Sequence, residues 1–232
     1  MDKKLILIAA TRNKHKITEF RDIFSEISAG PLEVLSEEEA VRRYGADGKV
    51  KYIPPKETGK TFAANALLKA VGIYRFLMKT PLQALSGTSV MIVADDSGLC
   101  VDALGGAPGV LSARYASKNG KNASDSANVE KLLREMESVP DEKRNASFVC
   151  EVAAILIREA TAPPFELMSV EGHLSGMISR TPRGENGFGY DSVLYLPEYG
   201  KCVAELDPEC KNRISHRGQA LRKLAYGYYG TY

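Results

Sequence analysis

The sequence predicts a fold of the α/β or α+β class with a mixed β-sheet, because apolar runs of strand length are interspersed with segments of helical periodicity. The chain has 232 residues, of which 44% are hydrophobic, and this is enough for a sizeable core. We find no internal repeat and no low-complexity block. The expected organisation is one domain with two lobes, spanning residues 1–232.

The elements follow from the pattern of apolar residues. Apolar runs predict five strands, at 5–9, 90–94, 147–157, 170–178 and 192–196. Apolar residues three or four apart predict four helices, at 17–27, 61–78, 128–136 and from Asp207 almost to the C-terminus. The charged stretch 30–59, with its prolines and glycines, is expected to be a surface excursion with one short helix at 37–44. Asp207 and Pro208 suit an N-cap and a first helical residue. Gly172 and Gly176 predict an interruption in the fourth strand.

Composition excludes several kinds of partner. The net charge of +2, from 31 basic and 29 acidic residues, lacks the basic excess expected of a nucleic-acid-binding protein. The apolar run near the N-terminus is too short for a transmembrane helix, and it does not resemble a signal peptide, so we expect no membrane partner. The four cysteines have neither zinc-ligand nor disulfide-framework spacing, which indicates reduced thiols in a cytoplasmic protein.

The stretch TRNKHK lies between the first strand and its helix. Free N–H groups at a helix N-terminus, reinforced by Lys14 and Lys16, are suited to binding phosphate. An ordinary capped turn, with Asn13 as the N-cap and the lysines in solvent, explains the same residues. This stretch alone does not decide between the two interpretations, because it is not a P-loop motif.

Asp95 and Asp96 follow the apolar run 90–94 and precede a Ser-Gly pair, which predicts that the strand ends at these aspartates. Adjacent carboxylates repel each other unless they share a cation or one of them turns away to cap backbone groups. Mg²⁺ bound to a nucleotide phosphate is the simplest such cation, since it prefers one or two carboxylates plus phosphate and water. Two ordinary turn-forming residues are the alternative.

Two later stretches could form a base-binding site. TPRGENGFGYDS places Phe188 and Tyr190 in a glycine-rich loop, where an aromatic ring could stack on a base or could cover a sheet edge. KNRISHRG places four cations, Lys211, Arg213, His216 and Arg217, near the start of the last helix, where they could donate to phosphate or to a base carbonyl. A solvated basic face is the alternative for this second stretch.

Five blocks together resemble a known family. TRNKHK, ETGKTFAANALLKA, DDSGLCVDALGGAPGVLSARYA, GFGYD and ISHRGQAL follow, in order, the motifs of the inosine triphosphate pyrophosphatase (HAM1-like) family. The resemblance implies a two-lobed α/β fold, with helices flanking a long mixed sheet and a central nucleotide cleft. It also implies a homodimer that hydrolyses ITP, dITP and XTP to the monophosphate and pyrophosphate with Mg²⁺, and so cleanses the nucleotide pool.

The resemblance assigns roles by position. Asp96 matches the catalytic acidic residue of the family. Asp96 and Glu57 are the candidate ligands of Mg²⁺. Asp95 would support Asp96, and Lys69 would lie near the scissile bond. Phe188 would stack on the purine. The substrate-binding candidates are Thr11, Arg12, Asn13, Lys14, His15, Lys16, Ser97, Phe188, Gly189, Tyr190, Asp191, Lys211, His216 and Arg217.

The sequence also departs from the family pattern. Arg12 stands where the family usually has glycine, Lys56 replaces a second acidic residue before Glu57, and Ser192 replaces a common proline. Lys56 makes a metal site with two glutamates doubtful. Residues 41–55 and 80–89 form insertions to which the motifs assign no role.

Two other functions fit parts of the sequence. A pyrophosphatase of modified pyrimidine nucleotides, as in the Maf family, would share the broad architecture. A nucleic-acid-binding module could use the basic helix and the loop aromatics, although the near-neutral charge argues against it. Comparing the turnover of ITP, XTP, dTTP and UTP distinguishes a purine from a pyrimidine pyrophosphatase. Salt-dependent binding to oligonucleotides, without hydrolysis of free nucleotides, would support the nucleic-acid-binding module.

Overall fold

A computed structural model describes residues 4–28, 30–45, 50–80, 88–158 and 166–230. Its strands are β1 (Lys4–Ala9), β2 (Leu32–Ser36), β3 (Thr88–Val101), β4 (Asn145–Ile157), β5 (Glu166–Ile178), β6 (Leu194–Leu196) and β7 (Lys201–Cys202). In the described residues they form a seven-stranded sheet in the order β2-β1-β3-β4-β5-β6-β7. Strand β1 pairs in parallel with β2 and β3, whereas β6 pairs antiparallel with β5 and β7. The mixed sheet of the predicted α/β class is therefore confirmed.

The helices are α1 (Lys14–Ile27), α2 (Glu37–Tyr44), α3 (Phe62–Leu77), α4 (Asp125–Glu135), α5 (Pro208–Ile214) and α6 (His216–Tyr229). Side chains cap most of their N-termini in the way that short polar residues favour. Ser36 forms a capping box with Glu39 before α2, and Thr61 accepts from the Ala64 N–H before α3. None of the helices in the described part of the chain has the length and apolar character needed to span a bilayer.

The chain divides into two compact units. The first contains the residues up to Asp96, residues 151–171 and the residues from Ala220 onward, and the second contains residues 97–150 and 172–219. The core of the first unit packs alternate residues of β1 and β3, such as Ile8 and Ile92, against apolar residues of α3. The core of the second unit gathers residues from β3, α4, β5 and β6.

Strand β3 does not end at the two aspartates, as the sequence predicts, but continues through them to Val101. It lies inside the sheet, and its neighbour β4 has 13 residues, long enough to extend the ladder beyond the point where β1 stops. Hydrogen bonding in the sheet therefore overrides the turn preference of Asp, Ser and Gly. Gly105 and Gly106 lie in a turn after β3, both with positive φ.

Two further predictions need correction. The last helix is two helices, because Ser215 adopts an extended conformation and its hydroxyl accepts from the Gly218 N–H. Strand β5 is continuous through its glycines, since Gly176 lies where an added Cβ would come within 2.4 Å of the Tyr195 carbonyl oxygen. Strands β2 and β7 were not predicted. Residues 46–49 and 81–87, which belong to the two insertions, lie outside the described residues.

Candidate active site

The turn after β1 begins beside β3, because the two strands are parallel and Ala9 is the register partner of Val93. The Ala10 N–H donates to the Val93 carbonyl at 2.8 Å. Asn13 is the N-cap of α1, and its side-chain oxygen accepts from the N–H groups of His15 and Lys16. Asn13 is therefore the predicted N-cap, but of the two lysines only Lys14 is exposed, because Lys16 is 15% exposed and pairs with Asp95. The N-terminus of α1 lies at the carboxyl end of β1.

Asp95 faces this turn. Its side chain is buried, and Oδ2 accepts from Lys16 Nζ at 2.8 Å. Successive side chains of a strand point to opposite faces of the sheet, so Asp95 and Asp96 are directed apart although they are neighbours in sequence. Alternation within β3, together with a separate lysine for each aspartate, therefore relieves their repulsion.

Asp96 faces α3. Its Oδ2 accepts from Asn65 Nδ2 at 3.0 Å, and its Oδ1 lies 3.4 Å from Lys69 Nζ. Asn65 and Lys69 are four residues apart, so both side chains leave one face of α3. Burial raises the pKa of the Asp96 carboxyl, although Lys69 and Asn65 act in the opposite direction. Helix α3 thus presents Lys69 to the Asp96 carboxylate.

Lys69 also lies 3.4 Å from Oε1 of Glu57. Burial alone would lower the pKa of its ammonium group, but the carboxylates of Asp95, Asp96 and Glu57 outweigh burial and raise it. Glu57 is carried by residues 50–59, whose position relative to α3 is secured by a hydrogen bond from the Gly59 N–H to Oδ1 of Asn65. One buried asparagine therefore contacts both the catalytic candidate and the segment that carries the second acid.

The chemistry of these donors fits Mg²⁺. A positive charge, that of Lys69, already lies within 3.4 Å of oxygen atoms of both Asp96 and Glu57. The described residues hold no cluster of three or more His, Cys, Asp or Glu side chains suited to a metal ion. Magnesium commonly binds through one or two carboxylates and takes its other ligands from phosphate and water, so two carboxylates are sufficient.

The other residues of the turn differ in exposure. Thr11 is half-buried and accepts from the Asn13 N–H, whereas Lys14 and His15 are exposed on the first turn of α1. Arg12 extends to the first residue of α2, where its Nε donates to Oε1 of Glu37 at 2.6 Å. The turn therefore combines a helix N-terminus with several cations.

In the second unit, the loop that carries Phe188 is held by two carboxylates. The Phe188 N–H donates to Oδ2 of Asp191 at 2.9 Å, and the Gly189 N–H donates to Oδ2 of Asp125 at 2.6 Å. Lys211 donates to the same Asp191 oxygen at 2.9 Å, and its Nζ lies 4.8 Å from the centre of the Phe188 ring. An aromatic ring and a lysine are therefore fixed beside each other.

His216 and Arg217 are the first two residues of α6. Arg217 is 2% exposed, and its Nη2 donates to Oγ of Ser97 at 3.0 Å, while its guanidinium lies 5.9 Å from the Phe188 ring centre. The His216 ring stacks on Phe148 with ring centres 4.9 Å apart. The structure thus brings Ser97, Phe188, Lys211 and Arg217 together, as a base-side site requires.

Tyr190 belongs to the core of its unit. Its ring is buried, and its hydroxyl donates to the carbonyl of Ser112 at 3.0 Å. For this residue, the interpretation that a loop aromatic packs on the sheet is the one observed. Tyr190 can shape a pocket only indirectly, by supporting the loop.

The sequence-based site omits two residues that the structure places in contact with it. Neither Asn65 nor Asp125 is among the residues singled out in the sequence. The spacing of Asn65 and Lys69 was the signal that could have identified the first. Asp125 follows Ser124, the N-cap of α4, and nothing in its local sequence connects it with residues 188 and 189.

The fold and these clusters define an α/β protein that carries a lysine–carboxylate site beside strand β3 and an aromatic loop held by acidic residues. The chain belongs to the Ham1 family, whose model matches residues 7–226. It is 44% identical to the dITP/XTP pyrophosphatase of Geobacillus kaustophilus strain HTA426 over 94% of this chain and 91% of that one. It is also 44% identical to the dITP/XTP pyrophosphatase of Streptomyces avermitilis, with 94% of each chain covered.

Solved structures are similar over nearly the whole chain. A HAM1 protein from Coxiella burnetii aligns with a TM-score of 0.74 and 35% identity, covering 98% of this chain and 100% of that one. The Staphylococcus aureus Ham1 protein aligns with a TM-score of 0.71 and 34% identity at the same coverage. The family predicted from the five sequence blocks is therefore confirmed.

Proposed function

We propose that the chain is a hydrolase of non-canonical purine nucleoside triphosphates (ITP, dITP and XTP), releasing the monophosphate and pyrophosphate. The observation that carries the proposal is the lysine–carboxylate cluster, in which Asn65 and Lys69 hold the Asp96 carboxylate beside Glu57. Membership of the Ham1 family and relatives named dITP/XTP pyrophosphatase support the substrate class.

The reaction is an in-line displacement by water. A bond forms between the water oxygen and the α-phosphorus, the bond from the α-phosphorus to the bridging oxygen breaks, and pyrophosphate leaves with that oxygen. Asp96 accepts the proton of the attacking water. Its carboxylate suits this role because Asn65 fixes its orientation through a hydrogen bond to Oδ2.

The lysines and the turn at α1 bind the phosphates. Lys69 keeps its positive charge because three carboxylates stabilise it, and its Nζ lies 3.4 Å from Oδ1 of Asp96. Lys16 is held by Asp95 at the first turn of α1, where N–H groups add partial positive charge. These groups would offset the negative charge on the phosphates during displacement.

Magnesium is the cofactor that we propose for this site, held by Asp96 and Glu57. When bound, it would supply positive charge to the triphosphate and to the leaving pyrophosphate. Asn65 would serve the site by keeping Asp96 in place through its amide. Lys56 stands beside Glu57 instead of an acidic residue, so the expected metal site uses one glutamate.

Selectivity for the base would come from the second unit. Phe188 would stack on the purine, and Lys211 or Arg217 would donate to a 6-keto oxygen. Adenine has an amino group there, which would face those donors and leave buried polar groups unpaired. A site built on hydrogen bonds can reject such a mismatch strongly.

Family resemblance further implies a homodimer working in the cytoplasm, and we adopt both as part of the proposal. All four cysteines are free thiols, which suits a reducing compartment. Light scattering or sedimentation of the purified chain tests the dimer.

A panel of nucleoside triphosphates tests the function. ITP, dITP, XTP, ATP, GTP, dTTP and UTP are each incubated with Mg²⁺, and pyrophosphate and orthophosphate are measured separately. We expect fast pyrophosphate release from ITP, dITP and XTP, slow release from the others, and loss of turnover when a chelator removes divalent ions.

Other outcomes of the panel contradict the proposal in different ways. Orthophosphate as the first product would mean that the bond to the γ-phosphate is broken instead. Preference for dTTP or UTP would favour a pyrimidine pyrophosphatase. Full turnover after chelation would remove Mg²⁺ from the proposal but leave the hydrolytic reaction standing.

A further inference from the structure

Arg12 is held by a buried carboxylate. Its side chain is 56% exposed, whereas that of its partner Glu37 is only 7% exposed, and the two atoms of the ion pair lie 2.6 Å apart. An exposed arginine ordinarily samples many rotamers and loses that freedom when it binds a ligand. A short bond to a buried, immobile acceptor removes much of this freedom before any ligand arrives.

The sheet explains why these residues meet. Strands β1 and β2 are parallel neighbours, and Ala9 at the end of β1 is the register partner of Ser36 at the end of β2. Arg12 lies three residues beyond Ala9, and Glu37 lies one residue beyond Ser36. Glu37 is the first residue of α2, where an acidic side chain is favoured by the helix dipole.

Glu37 has a second partner in one of the insertions. The Tyr52 hydroxyl donates to Oε2 of Glu37 at 3.1 Å, and the Tyr52 ring meets the edge of Phe76 at 5.6 Å between ring centres. Burial raises the pKa of the Tyr52 phenol, which keeps it protonated as a donor. Each carboxylate oxygen of Glu37 therefore receives one bond, and both contacts restrict its rotation.

The insertion that carries Tyr52 leads to Glu57. Pro55 packs over Gly72 on α3, where an added Cβ would come within 2.9 Å of the proline ring. Tyr52 and Pro55 therefore fix residues 50–59 against α3 before the chain reaches the candidate metal ligand. A larger residue at position 72 would push this segment away.

We propose that Glu37 is a positioning residue for phosphate binding, which fixes Arg12 in the turn TRNKHK and is itself fixed by Tyr52. This inference rests on the proposed function. It assigns a role to the arginine that replaces the usual glycine of the family and to part of the insertion at 41–55. Glu37 contacts no substrate atom itself and acts only through Arg12.

A double-mutant cycle tests the inference. Glu37→Gln releases Arg12, so the KM for ITP should rise about 3- to 10-fold, the cost of ordering one long side chain, while kcat stays within about twofold. Arg12→Ala should raise the KM at least as much. In the Arg12→Ala background, Glu37→Gln should have no further effect, because the residue through which it acts is absent.

Two variants sharpen the test. Glu38→Gln removes the same charge from the first turn of α2 at an exposed position, and its KM should match that of the wild type. Tyr52→Phe should raise the KM by a smaller factor than Glu37→Gln, and it should do so only while Arg12 is present. Denaturant unfolding of every variant shows separately how far each change affects stability.

A binding measurement separates this inference from the proposed function. Calorimetric titration with inorganic tripolyphosphate needs no turnover, and Glu37→Gln should weaken binding by the same factor as the KM change, again only with Arg12 present. Independent, multiplying effects of Glu37→Gln and Arg12→Ala, or unchanged tripolyphosphate affinity in Glu37→Gln, would overturn the inference even if ITP is hydrolysed. If ITP is not hydrolysed but Glu37→Gln weakens tripolyphosphate binding only when Arg12 is present, the proposed function is overturned and the inference about Glu37 stands.

Discussion

The two units of the chain position their functional residues in different ways. In the first unit, ion pairs join side chains from distant segments, such as Lys16 with Asp95 and Lys69 with Asp96. In the second unit, Asp191 and Asp125 accept backbone N–H groups of the loop that carries Phe188. The first arrangement places charges, and the second places an aromatic ring and a loop backbone.

Under the proposed function, this difference would correspond to two tasks. The charges of the first unit would bind the phosphates, which all nucleoside triphosphates share, whereas the fixed ring and donors of the second unit would bind the base. Substitutions in the first unit should therefore change turnover of all substrates by similar factors. Substitutions around Phe188 should change the ratio between substrates.

The largest effect should come from Asp96→Asn. Removing the proton acceptor should lower kcat for ITP by about 10²- to 10⁴-fold, the usual contribution of a general base, while nucleotide binding is largely kept. Pyrophosphate release and calorimetric titration with ITP measure the two quantities. The same substitution at Asp102, an exposed residue just after β3, is the control and should leave kcat unchanged. Near-normal turnover in Asp96→Asn, with nucleotide still bound, would show that the assigned role is wrong.

A smaller but more selective effect should follow from Lys211→Met. Loss of a charged donor to the 6-keto oxygen should reduce the ratio of kcat/KM for ITP over ATP by about 10- to 100-fold. Tripolyphosphate affinity should not change. Arg213→Met, on the exposed side of the same helix, is the matched control. An equal loss for ITP and ATP would contradict the division between the two units.

The smallest effect concerns an ion pair outside both sites. Hydrogen bonds from Arg43 and Lys4 lower the pKa of Glu33 from 4.5 to about 2. A lowered pKa stabilises the folded state above the unfolded value near 4.5, and this stabilisation is lost as the pH falls from 4.5 towards 2. Both cations are largely exposed, so Glu33→Gln should lower the free energy of unfolding by at most about 1 kcal/mol at pH 7.

Urea unfolding at pH 7 and at pH 3 measures this effect. The difference between Glu33→Gln and the wild type should shrink at the lower pH, and kcat should be unaffected. Glu142→Gln, an exposed glutamate of the second unit, should show no such pH dependence. A difference that grows towards pH 3 would contradict the sign of the shift.

Periodicity was a good guide to the longer elements. The helix predicted at 61–78 is α3 at Phe62–Leu77, and the strand predicted at 147–157 is β4 at Asn145–Ile157. Errors arose where local preference and long-range pairing disagree. The Asp-Asp-Ser-Gly stretch favours a turn locally, yet it continues β3, because an interior strand gains hydrogen bonds from its neighbours.

The site residues were predicted from motifs more completely than their contacts were. Asp96, Lys69 and Glu57 were identified in the sequence. The structure places Lys69 Nζ 3.4 Å from a carboxylate oxygen of each of the other two. Asn65, Asp125 and Glu37 were not identified as site residues. Each acts through one contact with a residue distant in sequence, and such a contact leaves no local pattern.

The sequence by itself determined the class of the fold, the family and the chemical groups available for phosphate and base. Those properties follow from residue types and spacings along the chain. Only the tertiary structure decided which lysine meets which carboxylate. Parallel pairing places the ends of β1 and β2 level with Val93 of β3, and alternation within β3 directs Asp95 to Lys16 and Asp96 to Lys69. Sheet register, which depends on residues far apart in the chain, therefore made the adjacent aspartates into two separate sites.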